Sequence, residues 1–330
     1  MSLAPRAVLV HRTTEYEELL ARHGTHGQAA FFLSARGRSV EEVRERHERV
    51  HRALAEVAGA VPLSWRQTRV ERADLDRFLF GPEDVVVVVG QDGLVANAAK
   101  YLSGQPVIGI DADPGRNAGV LVRHRAAQAR RLLPYAAEAG AAVDELTMVE
   151  AVTDDAQRLL ALNEIYVGPP GHQTARYTLG FDGPKVPAKP KPNPKPTPTP
   201  TPTPTKERKH GQDPEQQESE PQASSGVLVG TGTGATGWLR SLWEQRSSAL
   251  TLPAPADARL AWFVREAWPS PTTGTSRVEG LLDSGQSLRL TVESDRLVAF
   301  GDGVESDALH LTWGQTVRLA AADARLRLVG

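Results

Sequence analysis

Five consecutive valines, Val85 to Val89, end abruptly in Gly90, Gln91, Asp92 and Gly93. A short apolar run bounded by turn residues reads as a strand buried on both faces, as in a parallel sheet. Glycines flanking an acid at the carboxyl end of such a strand let the backbone approach a ligand, while one carboxylate points into the crevice where α/β sheets bind. That chemistry suits a phosphorylated ligand. The alternative is a plain strand-to-helix turn in which Asp92 caps a helix beginning near Leu94. Further along, Asn163 and Glu164 interrupt the apolar stretch LLALNEIYVG. An amide beside a carboxylate can donate to and accept from the vicinal hydroxyls of a sugar, or Asn163 can simply sit in a turn with Glu164 exposed. A third segment, GVLVGTGTGATGW at 226 to 238, is strand-like and then rich in glycine and threonine. It contains GxGxxG from Gly232 to Gly237, but it lies among short strands and lacks the strand-end acid of a dinucleotide-binding fingerprint. Trp238 stands where a Walker A loop needs lysine.

A GxDG turn, an NE pair and a Thr-Gly-rich turn, in that order, resemble the NAD kinase family, whose members carry GGDG, NE and a TPTGSTAY-type turn. The mitochondrial-type branch is the most similar. HRTTEYEELL at 11 to 20, QPVIGIDADPGR at 105 to 116 and WFVREAW at 262 to 268 support the resemblance, which spans most of the chain apart from a middle insert. The resemblance implies phosphoryl transfer from ATP, or polyphosphate, to the 2'-hydroxyl of the adenosine ribose of NAD, with magnesium neutralising the donor. Asp92 matches the family's base or orienting group, and Gly90 and Gly93 would expose backbone N–H groups to donor phosphates. Gln91 replaces the second glycine, where its side chain either crowds the phosphates or contacts them, and Leu94 replaces the usual threonine. Asn163 and Glu164 match the pair that holds ribose hydroxyls. Thr231, Thr233, Gly234 and Thr236 match the turn that contacts adenine and ribose. Trp238, at its aromatic position, is either a stacking surface or core packing with Leu242. Arg116 in DPGR and Arg176 in QTARYTL are candidates for neutralising phosphate. Asp302 in FGDG either helps hold magnesium or the nucleotide, or is a hairpin turn. Two rival functions stay open: a non-catalytic nucleotide-binding or regulatory protein that has lost turnover through Gln91 and Leu94, and a kinase of this superfamily with another acceptor.

The chain has 330 residues, 40% of them hydrophobic, enough for two domains with their own cores. Its 38 basic and 40 acidic side chains leave a formal charge of -2, which offers nucleic acid no general attraction. Arg130 and Arg131 fit the solvated face of an amphipathic helix. No apolar run nears the roughly 18 residues of a spanning helix. The amino terminus, acidic at Glu15, Glu17 and Glu18, fits neither a secretory signal nor a transit peptide. With no cysteine, disulfides and thiolate chemistry are excluded, and a cytoplasmic location is expected. The expected partners are small-molecule nucleotides and a second copy of the chain in a homodimer. His47 and His51 stand one helical turn apart, but the charged face of VEEVRERHERVHRALAEV accounts for them, and no metal-ligand cluster is expected.

Positioning these residues requires an α/β domain followed by a β-rich one. Strands at 7 to 10, 84 to 90 and 106 to 110 alternate with helices at 41 to 57 and 94 to 102, the pattern of an open parallel sheet in a Rossmann-like domain over 1 to 124. A helix at 126 to 140 leads to a series of short strands, read as packed antiparallel sheets over 125 to 310. Residues 311 to 330 are expected to return to the first domain, as the family implies. A Pro/Thr-rich stretch from 184 to 225 lacks apolar content and reads as a disordered insert of polyproline character, either tolerated or a PxxP docking segment.

Overall fold

The computed structural model describes residues 4–116, 119–183 and 219–330. Its parallel strands form for the reason the valine run suggests. In β3 (Asp84–Gly90) the side chains of Val85, Val87 and Val89 point to one face and those of Val86 and Val88 to the other, and all are buried. With β1 (Arg6–His11), β2 (Arg66–Glu71) and β4 (Pro106–Asp111) it makes a parallel array in the order β2-β1-β3-β4. Helices cover both faces. Leu54 and Val57 of α3 (Val40–Ala60) and Leu132 and Leu133 of α5 (Ala129–Ala136) pack on one side. Leu94, Val95 and Ala98 of α4 (Asp92–Ala99) pack on the other. On α5, Arg130 and Arg131 are exposed opposite the buried positions.

Two further helices, α1 (Glu15–His23) and α2 (His26–Ser34), lie against α3 through Leu19, Ala29, Leu33, Val40 and Val43. Helix α1 opens with a capping box, in which the Thr14 hydroxyl accepts from the Glu17 N–H and the Glu17 carboxylate accepts from the Thr14 N–H.

The rest of the chain is β5 (Val143–Thr153), β6 (Arg158–Ala161), β7 (Glu164–Gly168), β8 (Ala175–Asp182), β9 (Glu220–Ser224), β10 (Val227–Gly230), α6 (Trp238–Gln245), β11 (Leu260–Val264), β12 (Glu279–Leu282), β13 (Ser287–Val292), β14 (Leu297–Gly301), β15 (Val304–Leu311) and β16 (Thr316–Val329). Six of these strands form an antiparallel sheet in the order β12-β11-β10-β7-β14-β15. It packs face to face on a second sheet through Ile165, Val167, Val229 and Trp262 from one side and Tyr177, Leu290, Val317 and Leu319 from the other.

That second sheet is not separate from the parallel array. Strand β16 pairs antiparallel with β13 through its first residues, while its last, Arg327 and Leu328, pair in parallel with Pro106 and Val107 of β4. One ten-stranded mixed sheet therefore runs through both halves. The β-rich part is thus one sheet of its own packed on an extension of the first. Length makes this possible: at about 3.3 Å per residue a strand of this size spans more than a single sheet layer needs.

The expected insert also ends earlier than its composition suggests. Residues 184 to 218 lie outside the described residues, but Glu220–Ser224 form β9 in register with β8. Gln222 and Ser224 are buried there and both bond the Tyr177 hydroxyl, at 3.1 and 2.7 Å. Backbone pairing and this polar cluster outweigh the low hydrophobicity of EPQAS. Among the described residues no helix is long and apolar enough to cross a membrane.

Candidate functional site

Strand β3 delivers the GQDG turn to the start of α4. Gln91 is the N-cap residue but makes no side-chain cap bond, and Asp92 is already helical. Its carboxylate turns instead toward the segment after β4. Oδ1 accepts from the N–H groups of Leu121 and Val122 at 2.8 and 2.9 Å, and Oδ2 accepts from that of Val120 at 3.1 Å. Gly109 permits this approach, because a Cβ there would lie 2.1 Å from the Leu121 carbonyl oxygen. Asp92 is therefore neither a free base nor the helix cap. Of the roughly four lone-pair positions of a carboxylate, three are taken by backbone, leaving one on Oδ2.

Asn163 and Glu164 enter β7 opposite the Thr-Gly turn after β10. The Thr231 hydroxyl donates to the Leu162 carbonyl at 2.6 Å and accepts from the Thr233 N–H at 3.1 Å, while the Thr231 N–H donates to the Asn163 carbonyl at 2.9 Å. Thr231 is fully buried and holds the two segments together. Gly234 is needed for that contact, since a Cβ would come within 2.4 Å of the Asn163 carbonyl oxygen. Gly234→Ala should therefore cost about 1–3 kcal/mol of stability, read from the urea midpoint. Gly93→Ala, whose Cβ meets nothing within 4 Å, should cost none.

Asp302 occupies the turn between β14 and β15 with φ +54°, followed by Gly303 at +67°. It is a hairpin turn and a clamp at once. Its carboxylate accepts from the N–H groups of Leu162 and Asn163, both at 2.7 Å, and from that of Glu164 at 3.4 Å. Its own N–H donates to the Glu164 carbonyl at 3.1 Å. Helix α4 holds the same hairpin: Asn97 donates to the Asp302 carbonyl at 2.9 Å, and buried Lys100 donates to the Gly301 carbonyl and pairs with Asp307 at 2.8 Å. The three polar segments are thus tied to one another and to α4.

Two cavities result. The larger, about 610 Å³, is lined by Gly90, Gln91, Gly93, Asn97, Arg116 and Asp302, together with Arg12, Thr13, Thr14, Arg46, His47 and Arg72. The smaller, about 100 Å³, is lined by Asp92, Gly93, Asn163, Glu164, Thr233, Gly234 and Thr236. Gly93 belongs to both, so the wall between them is the start of α4. Arg46 pairs with Glu15 at 3.5 Å, Arg12 with Glu18 at 3.9 Å, and Arg72 donates to Asn97 at 2.6 Å. Arg116 makes no side-chain ion pair among the described residues.

Burial sets the protonation of the acids. Glu164 is pushed up to about 8 by burial, with the charge of Asp302 adding to it. Asp302 rises to about 6, because burial outweighs its bonds from the Leu162 and Asn163 N–H groups and the nearby Lys100. At neutral pH the proton of this pair rests on Glu164, since Asp302 is the one accepting backbone bonds. Glu164 then offers an O–H donor to the smaller cavity.

Three expected residues fall outside both cavities, Thr231 because it is buried in holding the Thr-Gly turn to the Leu162–Asn163 segment. Arg176 is exposed on β8, beside the buried Tyr177, and its N–H bonds Ser294. Trp238 stacks on Tyr166 at 5.5 Å with Arg265 over its ring, joining a cluster with Leu239 and Leu242. Asn97, Lys100, Arg12, Arg46 and Arg72 escaped the sequence reading; only the helical spacing of Asn97 and Lys100 on α4 hints at a shared face. Glu17 also comes up against His47 and His51, which the sequence alone assigned to a polar helix face.

Comparison of the chain with protein-family models and with curated proteins finds no match in either.

Proposed function

We propose that the protein is an NAD kinase, transferring a phosphoryl group from ATP or polyphosphate to the 2'-hydroxyl of the adenosine ribose of NAD. The observation that carries this reading is the shared wall: the Asp92–Gly93 turn separates a cleft of nucleotide size from a sugar-sized hollow lined by Asn163, Glu164 and the Thr-Gly turn. A donor in the larger cleft and an acceptor ribose in the smaller would meet across that turn. The rest of the dinucleotide would extend beyond the small hollow.

Phosphoryl transfer asks mainly for positioning and for neutralisation of charge. At the start of α4 the Asp92 and Gly93 N–H groups are left for donor phosphates, the Leu94 N–H already donating to the Gln91 carbonyl, and Arg116 adds a cation. The free lone pair of Asp92 Oδ2 accepts the hydroxyl hydrogen bond. As the hydroxyl oxygen bonds phosphorus and the donor's bridging oxygen leaves, the proton passes late to that carboxylate or to water. Protonated Glu164 and the Asn163 amide bond the neighbouring sugar oxygens. Magnesium, when bound, would neutralise donor charge and be held mainly by the donor phosphates, because Asp92 has one lone pair left, given to the hydroxyl, and protonated Glu164 carries no charge. Asp302 does not serve it, because its oxygens are spent on the backbone.

A binding protein without turnover is the second reading, favoured by the three backbone bonds that already occupy Asp92. Incubation of the protein with magnesium, ATP and NAD, with NADP detected by a coupled dehydrogenase, separates the two. NADP formation is expected, and NAD binding without it would leave the binding protein. Gln91, exposed in the cleft and free of cap duty, is placed to contact the donor. Gln91→Gly should then lower kcat/KM by about 1–3 kcal/mol of transition-state stabilisation. A rise in turnover would mean that the side chain obstructs the phosphates.

A further inference from the structure

At the rim of the larger cleft the ligand atoms of Glu17, His47 and His51 all lie within 4.8 Å of one another. His47 and His51 are one turn apart on α3, so their rings share a face, with centroids 4.2 Å apart. Glu17 reaches them from α1, and its two oxygens divide their work. Oε2 accepts the Thr14 N–H and hydroxyl at 2.7 and 2.9 Å, completing the capping box, whereas Oε1 faces His51 Nε2 at 3.1 Å. Ligands about 2.0–2.1 Å from a tetrahedral ion stand roughly 3.3 Å apart, so the Oε1–Nε2 pair is already at ligand spacing.

We propose that Glu17, His47 and His51 form a binding site for a divalent cation of the zinc class, with a fourth position left to water. Two imidazoles and one carboxylate are the donor set of a borderline-soft, four-coordinate ion; magnesium, which wants oxygen ligands in an octahedron, fits poorly. The Thr14 hydroxyl, 2.8 Å from His47 Nδ1, supplies the outer hydrogen bond that orients a ligating ring. The ion would tie α1 to α3. Because His47 also lines the cleft, it would form part of the cleft wall, whatever ligand the cleft takes.

The test is calorimetric titration of the tag-free, chelator-washed full chain with zinc chloride, repeated with an excess of magnesium. Binding at one equivalent, with a rise in Tm and no competition from magnesium, is expected. His51→Gln changes a half-exposed side chain, and Glu17→Gln keeps an N3 residue able to complete the capping box, so both should fold like the parent. Each should weaken zinc binding by roughly 10-fold or more and abolish the Tm rise. Unchanged affinity in both variants would place the ion elsewhere and overturn the assignment, as would absence of binding at millimolar zinc.

Discussion

In the proposed kinase reaction, replacing Asp92 by asparagine should slow phosphoryl transfer by roughly 10²- to 10⁴-fold while leaving NAD affinity nearly unchanged. The structure explains how the effects separate. An asparagine oxygen can keep the bonds from Leu121 and Val122, but its NH₂ group would face the Val120 N–H, donor against donor. Val120 is partly exposed, so water replaces the lost partner and the stability cost is about 0.5–1.5 kcal/mol. What disappears is the last lone pair of Oδ2, which takes the acceptor hydroxyl in the proposed reaction. Coupled-assay turnover and a urea melt on the same preparation measure both. Wild-type turnover in the variant would remove Asp92 from the mechanism and leave it as the anchor of the 120 to 122 segment.

Glu164→Gln should flatten the pH dependence of stability. Glu164 titrates near 8 in the folded protein and at its ordinary value of 4.5 when unfolded. Its folded value is raised, so its contribution is fully present below about 4.5 and is lost as pH rises toward 8, because the unfolded chain has released a proton that the folded one retains. Across that window the slope approaches about 1.4 kcal/mol per pH unit. Asp302, raised from 3.8 to about 6, adds a smaller loss in the same direction at lower pH. Glutamine keeps the shape of the side chain and cannot ionise, so the variant should equal or exceed the wild type in stability at pH 8.5 and lose that advantage at pH 5. Urea midpoints at the two pH values decide it. Parallel curves for the two proteins would mean that Glu164 is ionised in the fold and that the hydrogen-bond donor assigned to the smaller cavity is absent.

Much of this was legible in the chain. The valine run of β3, the turn after it and the long amphipathic α3 announce themselves, because burial on both faces removes alternation and burial on one face leaves a 3.6-residue period. Strand β2, RQTRVE, did not, since it is a mostly polar edge strand. Helix α2 did not either: HGQAAFFLS spreads its apolar residues around the helix. Asp302 was readable as a turn in FGDG. Its work as a clamp depends on β14 lying antiparallel beside β7, with Phe300 opposite Tyr166, a pairing between residues more than a hundred positions apart.

The order of the polar motifs, the alternation of strands and helices and the residue types available at the candidate site are local properties, set by side-chain period and turn chemistry in the sequence itself. Which of those side chains face one cavity was decided only in three dimensions. Arg116 and Arg176 are the same residue type, yet one lines the cleft and the other stands exposed on β8. Asp92 and Glu164 are both acids, yet one has three of its acceptor positions taken by backbone amides and the other is buried beside a second carboxylate and keeps its proton. Helices α1 and α3, separated in sequence, bring Glu17 to the two histidines. The reason is common to all three: desolvation and hydrogen-bond saturation depend on what packs around a group, and that is set by strand register and helix docking between distant segments.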